Sequence, residues 1–378
     1  MAVKRTMRVL GFMTGTSLDA VDMAVLETDG EVIQAFGPAG ERKLSERTRN
    51  IVLEATRQAL AWPRGAREPE IFAEGRQVVA EEHFAAGESF LAEHGLGWAD
   101  LDLIGMHGQT VLHERPRPGR IGRTVQLGDA AWLAARTDRP LAFDFRAADI
   151  AAGGEGAPLA PVYHAARART SGLQAPTAVL NIGGVANITL IAPGGALLAF
   201  DTGPGNGMID LFVQERGAGR FDLDGLFAAR GVTDPDAMAA LLQHPYLQAP
   251  PPKSLDRHDF PLDPVRGLSL ADGAATLTAF MVAAVGASFL WVDPADRPRS
   301  LIVAGGGRHN PAIMDGLRQS LTGLAEVIGA EDAGWRGDAI EAEAFAFLAA
   351  RTALGLPISF PGTTGVPAPM TGGRIVRG

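Results

Sequence analysis

The chain of 378 residues carries 34 Lys plus Arg against 43 Asp plus Glu, a net charge of −9, and no cysteine. That balance argues against broad electrostatic attraction to nucleic acid or an anionic membrane, but leaves open phosphate sites built from backbone N–H groups. Without cysteine there are no disulfides, thiolate metal sites or Cys nucleophile, and the length exceeds one ordinary core, so two domains are expected.

Read in chain order, residues 9–13 form an apolar strand, 14–19 a small polar loop, and 21–26 a second strand. Asp29-Gly30 turns the chain into a third strand over 32–36. Helices are expected over 45–62, with Ser45 as N-cap, and over 69–94. Short strands follow at 101–106, 124–127 and 140–145. Around residue 178 the opening pattern recurs: strand 178–182, the turn Gly183-Gly184, strand 185–191, the turn Gly194-Gly195, then strand 196–200. Two copies of one strand–turn–strand–strand unit imply duplicated α/β domains, divided here as 1–165 and 166–378. Residues 273–292 are uncharged and long enough to span a bilayer. Flanking Asp272 and Asp293, diluting Gly, Ala, Ser and Thr, and a helical recurrence of Phe280, Ala284, Ala287 and Trp291 make it a buried core helix instead. The N-terminus lacks the apolar core of a signal peptide. The tail from residue 357 is either a loop or a strand returning to the first domain.

Three glycine clusters carry the chemistry. GFMTGTSLDAVD begins at Gly11; Gly15 permits a tight turn, and the hydroxyls of Thr16 and Ser17 supplement amides that suit phosphate oxygens. Asp19 is either a turn cap or a holder of Mg²⁺ through water. FDTGPGN begins at Phe200 and leads into a helix, so Asp201 is either a catalytic base at a strand end or a turn residue bonding its own backbone. LIVAGGGRHNP begins at Leu301; its three glycines either leave room for a flat ring or make a simple tight turn. It is neither a Walker A loop nor a dinucleotide fingerprint. Between these lie HGQT at His107, DFR at Asp144 and GGEGAPL at Gly153, a mixture that suits a polyhydroxyl ligand. His107 and His113 lack a third partner for zinc, and Glu341 opens an apolar helix as a first-turn charge.

Together, MTGTSLDAVD at Met13, HGQTV at His107, DFR at Asp144, GAPL at Gly156, LNIGG at Leu180 with Asn187, DTGPGN at Asp201 and GGG at Gly305 with Asn310-Pro311 resemble the anhydro-N-acetylmuramic acid kinases, nearly end to end. The resemblance implies two duplicated actin-like, ribonuclease H-like α/β domains of the sugar kinase/Hsp70/actin type with an interdomain active-site cleft. It implies use of ATP and Mg²⁺ on a small sugar in the cytoplasm, in peptidoglycan recycling, with no nucleic-acid or membrane partner and a homodimer as one open assembly state. The substrate would be 1,6-anhydro-N-acetylmuramic acid and the products N-acetylmuramic acid 6-phosphate and ADP. By the same resemblance Asp201 is the catalytic base, and Gln109, Thr110, Arg146 and Glu341 meet the sugar. Thr14, Gly15, Thr16, Ser17 and Asp19 meet phosphate and Mg²⁺. Gly183, Gly184, Asn187, Gly203, Gly205, Asn206, Gly306 and Gly307 are the nucleotide-side residues.

The sequence departs from the family pattern at Ala147 and Ala148, where two arginines are usual, and at Glu155, Leu255 and Arg308. These departures bear on the sugar rather than the kinase machinery. A kinase for another amino sugar or anhydrosugar, and a non-catalytic ATP-binding module of the same superfamily, are the alternatives. The second has no need of the HGQT and DFR blocks.

Overall fold

A computed structural model describes residues 5–15, 17–117, 119–255 and 259–378. The chain divides into two compact units, Met1–Thr170 with Ala339–Gly378, and Ser171–Asp338.

In the first unit β1 (Met7–Thr14) is buried along its last six residues, the pattern of a central strand covered on both faces. It pairs antiparallel with β2 (Ala20–Thr28), which pairs antiparallel with β3 (Ile33–Lys43). Asp29 shapes the turn, its carboxylate accepting from the N–H groups of Glu31 at 2.9 Å and Val32 at 2.7 Å. β3 runs seven residues past its expected end at 36. Gly37, Pro38 and Gly40 disguise it, but an edge strand tolerates them because only one side must pair. β4 (Leu103–Met106) lies parallel to β1, the hairpin β5 (Gln109–Glu114) and β6 (Arg123–Leu127) forms a small separate sheet, and β7 (Leu141–Phe143) is parallel to β4. The helices Glu46–Ala61 and Ile71–Glu93 match expectation, and Ser45 caps the first by accepting from Thr48 N at 3.3 Å.

The second unit repeats this scheme. β8 (Thr177–Ile182), β9 (Val185–Ile191) and β10 (Leu197–Pro204) form an antiparallel meander, and β11 (Ser300–Ala304) and β12 (Glu326–Gly329) continue it in parallel. The order β10-β9-β8-β11-β12 reproduces β3-β2-β1-β4-β7, so the duplication expected from the sequence is present in strand order and direction. The helix Leu270–Ser288 supplies the core with Leu277, Phe280, Met281 and Val285. The segment Leu270–Trp291 is long and apolar enough to cross a membrane, but 72% of its most apolar stretch is buried inside the fold.

The last forty residues group with the first unit. The helix Ile340–Ala353 lies on β1, β2 and β4, and β13 (Arg374–Val376) pairs antiparallel with β7. Gly11 and Gly105 face each other across β1 and β4 directly beneath that helix. A methyl group at Gly11 would overlap Ala342 O and Ala346 N, and one at Gly105 would overlap Phe345 O, so both glycines admit close helix backbone.

This unit also buries three histidines. Burial lowers His83 from its ordinary 6.5 to about 4 and His164 to about 3, and holds His107 well below its usual range. Below pH 6.5 the unfolded chain binds protons that the folded chain refuses, so stability present above 6.5 is lost as pH falls. For His83 alone the loss at pH 5 is about 2 kcal/mol. Thermal unfolding followed from pH 7 to pH 5 is expected to show a falling midpoint, and His83→Gln a shallower fall. An unchanged slope in the variant would remove His83 from the account.

Candidate functional site

The first loop leaves β1 at Thr14 and re-enters at Ala20. Leu18 anchors it: the side chain is buried against Val52 and Phe72, the backbone is left-handed at φ 56°, and its N–H donates to Gly15 O at 3.2 Å. A leucine held left-handed is strained, and such strain gathers at ligand-binding loops. The anchor leaves Ser17 and Asp19 exposed, while the Thr14 hydroxyl is buried 3.4 Å from His83 Nε2. Thr16 lies outside the described residues. No group of three or more His, Asp or Glu side chains converges for a metal among the described residues. One exposed carboxylate beside loop amides fits a hydrated Mg²⁺ shared with phosphate rather than a protein-caged ion.

Elsewhere in the same unit, among the residues the resemblance assigns to the sugar, Gln109 is 2% exposed, and its Oε1 is buried without a hydrogen-bond partner among the described residues. A buried acceptor of this kind costs free energy unless a ligand or water satisfies it. Thr110 Oγ1 accepts from Gln126 Nε2 at 3.2 Å. His107 Nδ1 lies 2.7 Å from Gly108 O, which only accepts, so Nδ1 carries the proton and Nε2 is left to accept from Arg146 Nε at 3.1 Å. Arg146 Nη1 donates to Gly156 O at 2.8 Å, and its Nη2 has no hydrogen bond among the described residues. Burial lowers the Arg146 pKa, countered first by the Glu341 charge and then by Asp149, which sets Arg146 and Glu341 within electrostatic reach. Asp149 itself is structural: it accepts from Gly156 N at 2.7 Å and the Thr364 hydroxyl at 2.5 Å, closing the loop around Gly154. A polar pocket of about 270 Å³ opens beside His107, Gln126, Asp144 and Arg374.

In the second unit Asn181, Asn187 and Asp201 stand directly opposite one another on β8, β9 and β10 and so share one face. The ladder breaks between Asp201 and Gly203, and such a bulge re-aims a side chain at a strand end. Asp201 Oδ2 accepts from Leu255 N at 2.7 Å. Because the backbone makes this bond, the unusual leucine at 255 is compatible with it.

The glycine loops gather at the carboxyl ends of β8, β10 and β11. Asn206 N donates to Gly183 O at 2.8 Å, and Gly205 N and Gly207 N donate to Gly184 O at 3.1 Å. Gly184 and Gly306 are exposed, and a methyl group at Gly184 would meet nothing. Gly205 and Gly307 instead pack too tightly for any side chain, against Gly183 O and Ile182, and Gly203 abuts Ala284 of the buried helix. Asn206, Gly306 and Asn310 line a groove of about 330 Å³ together with Phe221 and Leu223, which are 50% and 57% exposed. Arg308, singled out in the sequence as a departure, props this loop from behind. Its guanidinium bonds Glu331, Asp338 and Gly305 O at 2.8–3.0 Å.

Sequence reasoning missed Lys253 and Tyr246. Tyr246 OH donates to Asp201 O at 2.8 Å, and Asp201 N donates to Lys253 O at 3.1 Å. Tyr246 sits in the one-turn helix Pro245–Gln248 and Lys253 in the irregular stretch after it, both too short for a periodicity to flag them.

A family model described as anhydro-N-acetylmuramic acid kinase matches residues 7–378. The chain is 68% identical over 370 residues to the anhydro-N-acetylmuramic acid kinase of Caulobacter vibrioides, covering 98% of this chain and 99% of that protein. It is 66% identical to the enzyme of that name from Phenylobacterium zucineum, covering 98% and 100% of the two chains. The corresponding protein of Brucella anthropi is 50% identical, with 97% and 98% covered. The repeated strand order, with glycine loops at its strand ends, accompanies a family match that places the chain among the ATP-dependent sugar kinases. Within that class, it belongs to the anhydro-N-acetylmuramic acid kinase family.

Proposed function

We propose that the chain opens the 1,6-anhydro bridge of 1,6-anhydro-N-acetylmuramic acid with water and phosphorylates O6 from ATP. The products are N-acetylmuramic acid 6-phosphate and ADP, in cytoplasmic recycling of peptidoglycan. Asp201 removes a proton from water as the water oxygen bonds C1. The C1–O6 bond breaks, O6 attacks the γ-phosphorus, and ADP departs with the electrons of the broken P–O bond. Asp201 then returns its proton to solvent. The observation that carries this reading is the Asp201 carboxylate, fixed by Leu255 N immediately before a bulge near the end of β10.

In the first unit, Arg146 is assigned to the lactyl carboxylate, which suits a guanidinium already oriented by His107. Gln109, Thr110 and Glu341 are assigned to sugar hydroxyl and acetamido groups. In the second unit, the groove beside Gly306 and Phe221 is assigned to adenosine, with Gly184 and Asn206 on the phosphate side. Ser17 and Asp19 are assigned to phosphate, and Asp19 would hold Mg²⁺ through water. Mg²⁺ supplies neutralisation of phosphate charge.

Incubation with the anhydro sugar, Mg-ATP and ¹⁸O-water tests the reaction. One ¹⁸O is expected on the sugar and none on the phosphate. Early time points are compared with preformed product held in the same water, which corrects for exchange at the anomeric carbon. A phosphorylated product with its bridge intact, or turnover only with another amino sugar, would overturn the assignment.

A further inference from the structure

Asp201 is held by one short segment at three of its groups. Its carbonyl accepts from the Tyr246 hydroxyl, its N–H donates to Lys253 O, and its carboxylate accepts from Leu255 N. The Lys253 side chain ties the ends of that segment together. Nζ donates to Tyr246 O at 2.9 Å and lies 4.6 Å from the centre of the Tyr246 ring. The Trp291 and Phe200 rings stand 5.6 Å and 5.7 Å away, so three aromatic rings surround an ammonium on a side chain that is almost fully buried. Burying an ammonium is costly unless carbonyls and ring faces replace its water, as they do here. Phe200 immediately precedes Asp201, so the cage and the carboxylate share a stretch of β10.

We propose that Lys253 is a positioning residue for the hydrolytic step, clamping residues 246–255 so that the Asp201 carboxylate is held toward the attacking water. The inference rests on Asp201 being the base. It does not place Lys253 on substrate, because its ammonium is committed to Tyr246 O and the cage. Burial lowers the Lys253 pKa to about 8, with the Asp201 charge pulling the other way, so the clamp stays cationic at neutral pH. A base displaced by even a fraction of an ångström loses rate without losing ligand affinity.

Lys253→Met keeps the apolar stem and removes the charge. Turnover is expected to fall by roughly tenfold to a hundredfold, with KM for ATP and sugar within about twofold of the parent. Lys253→Arg, which restores a cation to the cage, should recover much of the rate. Tyr246→Phe deletes only the hydroxyl on Asp201 O, and serves if the methionine variant does not fold; it should lower kcat several-fold at unchanged KM. Unchanged kcat in the methionine variant, or in the phenylalanine variant where that one must serve, would overturn the inference. So would a parallel loss of kcat, both KM values and thermal stability. Full activity of Asp201→Asn would instead overturn the base assignment itself, which separates the two failures.

Discussion

Asp201→Asn is expected to bind ATP as the parent does and to turn over at least about 10²-fold more slowly. The amide keeps the size of the carboxylate and can still accept from Leu255 N through its oxygen, so the local structure is preserved. What disappears is an acceptor able to take a full proton from water. Steady-state kinetics beside calorimetric titration of the nucleotide separate these effects. Near-normal turnover would move the base elsewhere. Glu341 is then the next carboxylate to test, since Asp149 is already engaged by Gly156 N and the Thr364 hydroxyl.

Arg146→Ala is expected to raise KM for the muramic sugar by roughly ten- to over a hundredfold, and to leave KM for ATP nearly unchanged. Loss of a charged hydrogen-bonding partner of a carboxylate costs about 1.5–3 kcal/mol. The guanidinium is the only cation in the stretch 144–149, where Ala147 and Ala148 follow it. Its Nε and Nη1 are fixed by His107 and Gly156 O, which orients the Nη2 edge before any ligand arrives. If Arg146 instead serves mainly to balance Asp149 and Glu341, the variant loses thermal stability and weakens both ligands together. Equal effects on the two KM values would therefore refute its role in recognition.

The duplication was legible because each copy announces itself locally: an apolar strand, a glycine turn, then two more strands. The first cap was equally local, as Ser45 illustrates. Less legible was whatever depends on partners far along the chain. Pro38 breaks the strand pattern of β3, yet pairing with β2 carries the strand through to Lys43. The hairpin β5–β6 was read only in its second strand, since Gln109 and Thr110 look like loop residues until β6 pairs with them. Residues 339–378, assigned by sequence to the second half, group with the first because the helix Ile340–Ala353 covers β1 and β4. The glycine motifs also mixed two causes that sequence cannot separate. Gly184 and Gly306 are open toward solvent, whereas Gly203, Gly205 and Gly307 are small because a neighbour leaves no room.

That the first unit is interrupted by the second has a consequence for biosynthesis. During translation β1, β2 and β4 emerge early, but the helix that covers Gly11 and Gly105 is encoded more than two hundred residues later. The second unit is uninterrupted, and all five strands of its sheet are synthesised before that helix. The N-terminal sheet must therefore wait, with one apolar face uncovered, while the middle of the chain condenses; contacts so distant in sequence are slow to form. The approach of Glu341 to within electrostatic reach of Arg146 belongs to this last event, so a nascent or prematurely stopped chain can complete its second unit and still have no finished first unit.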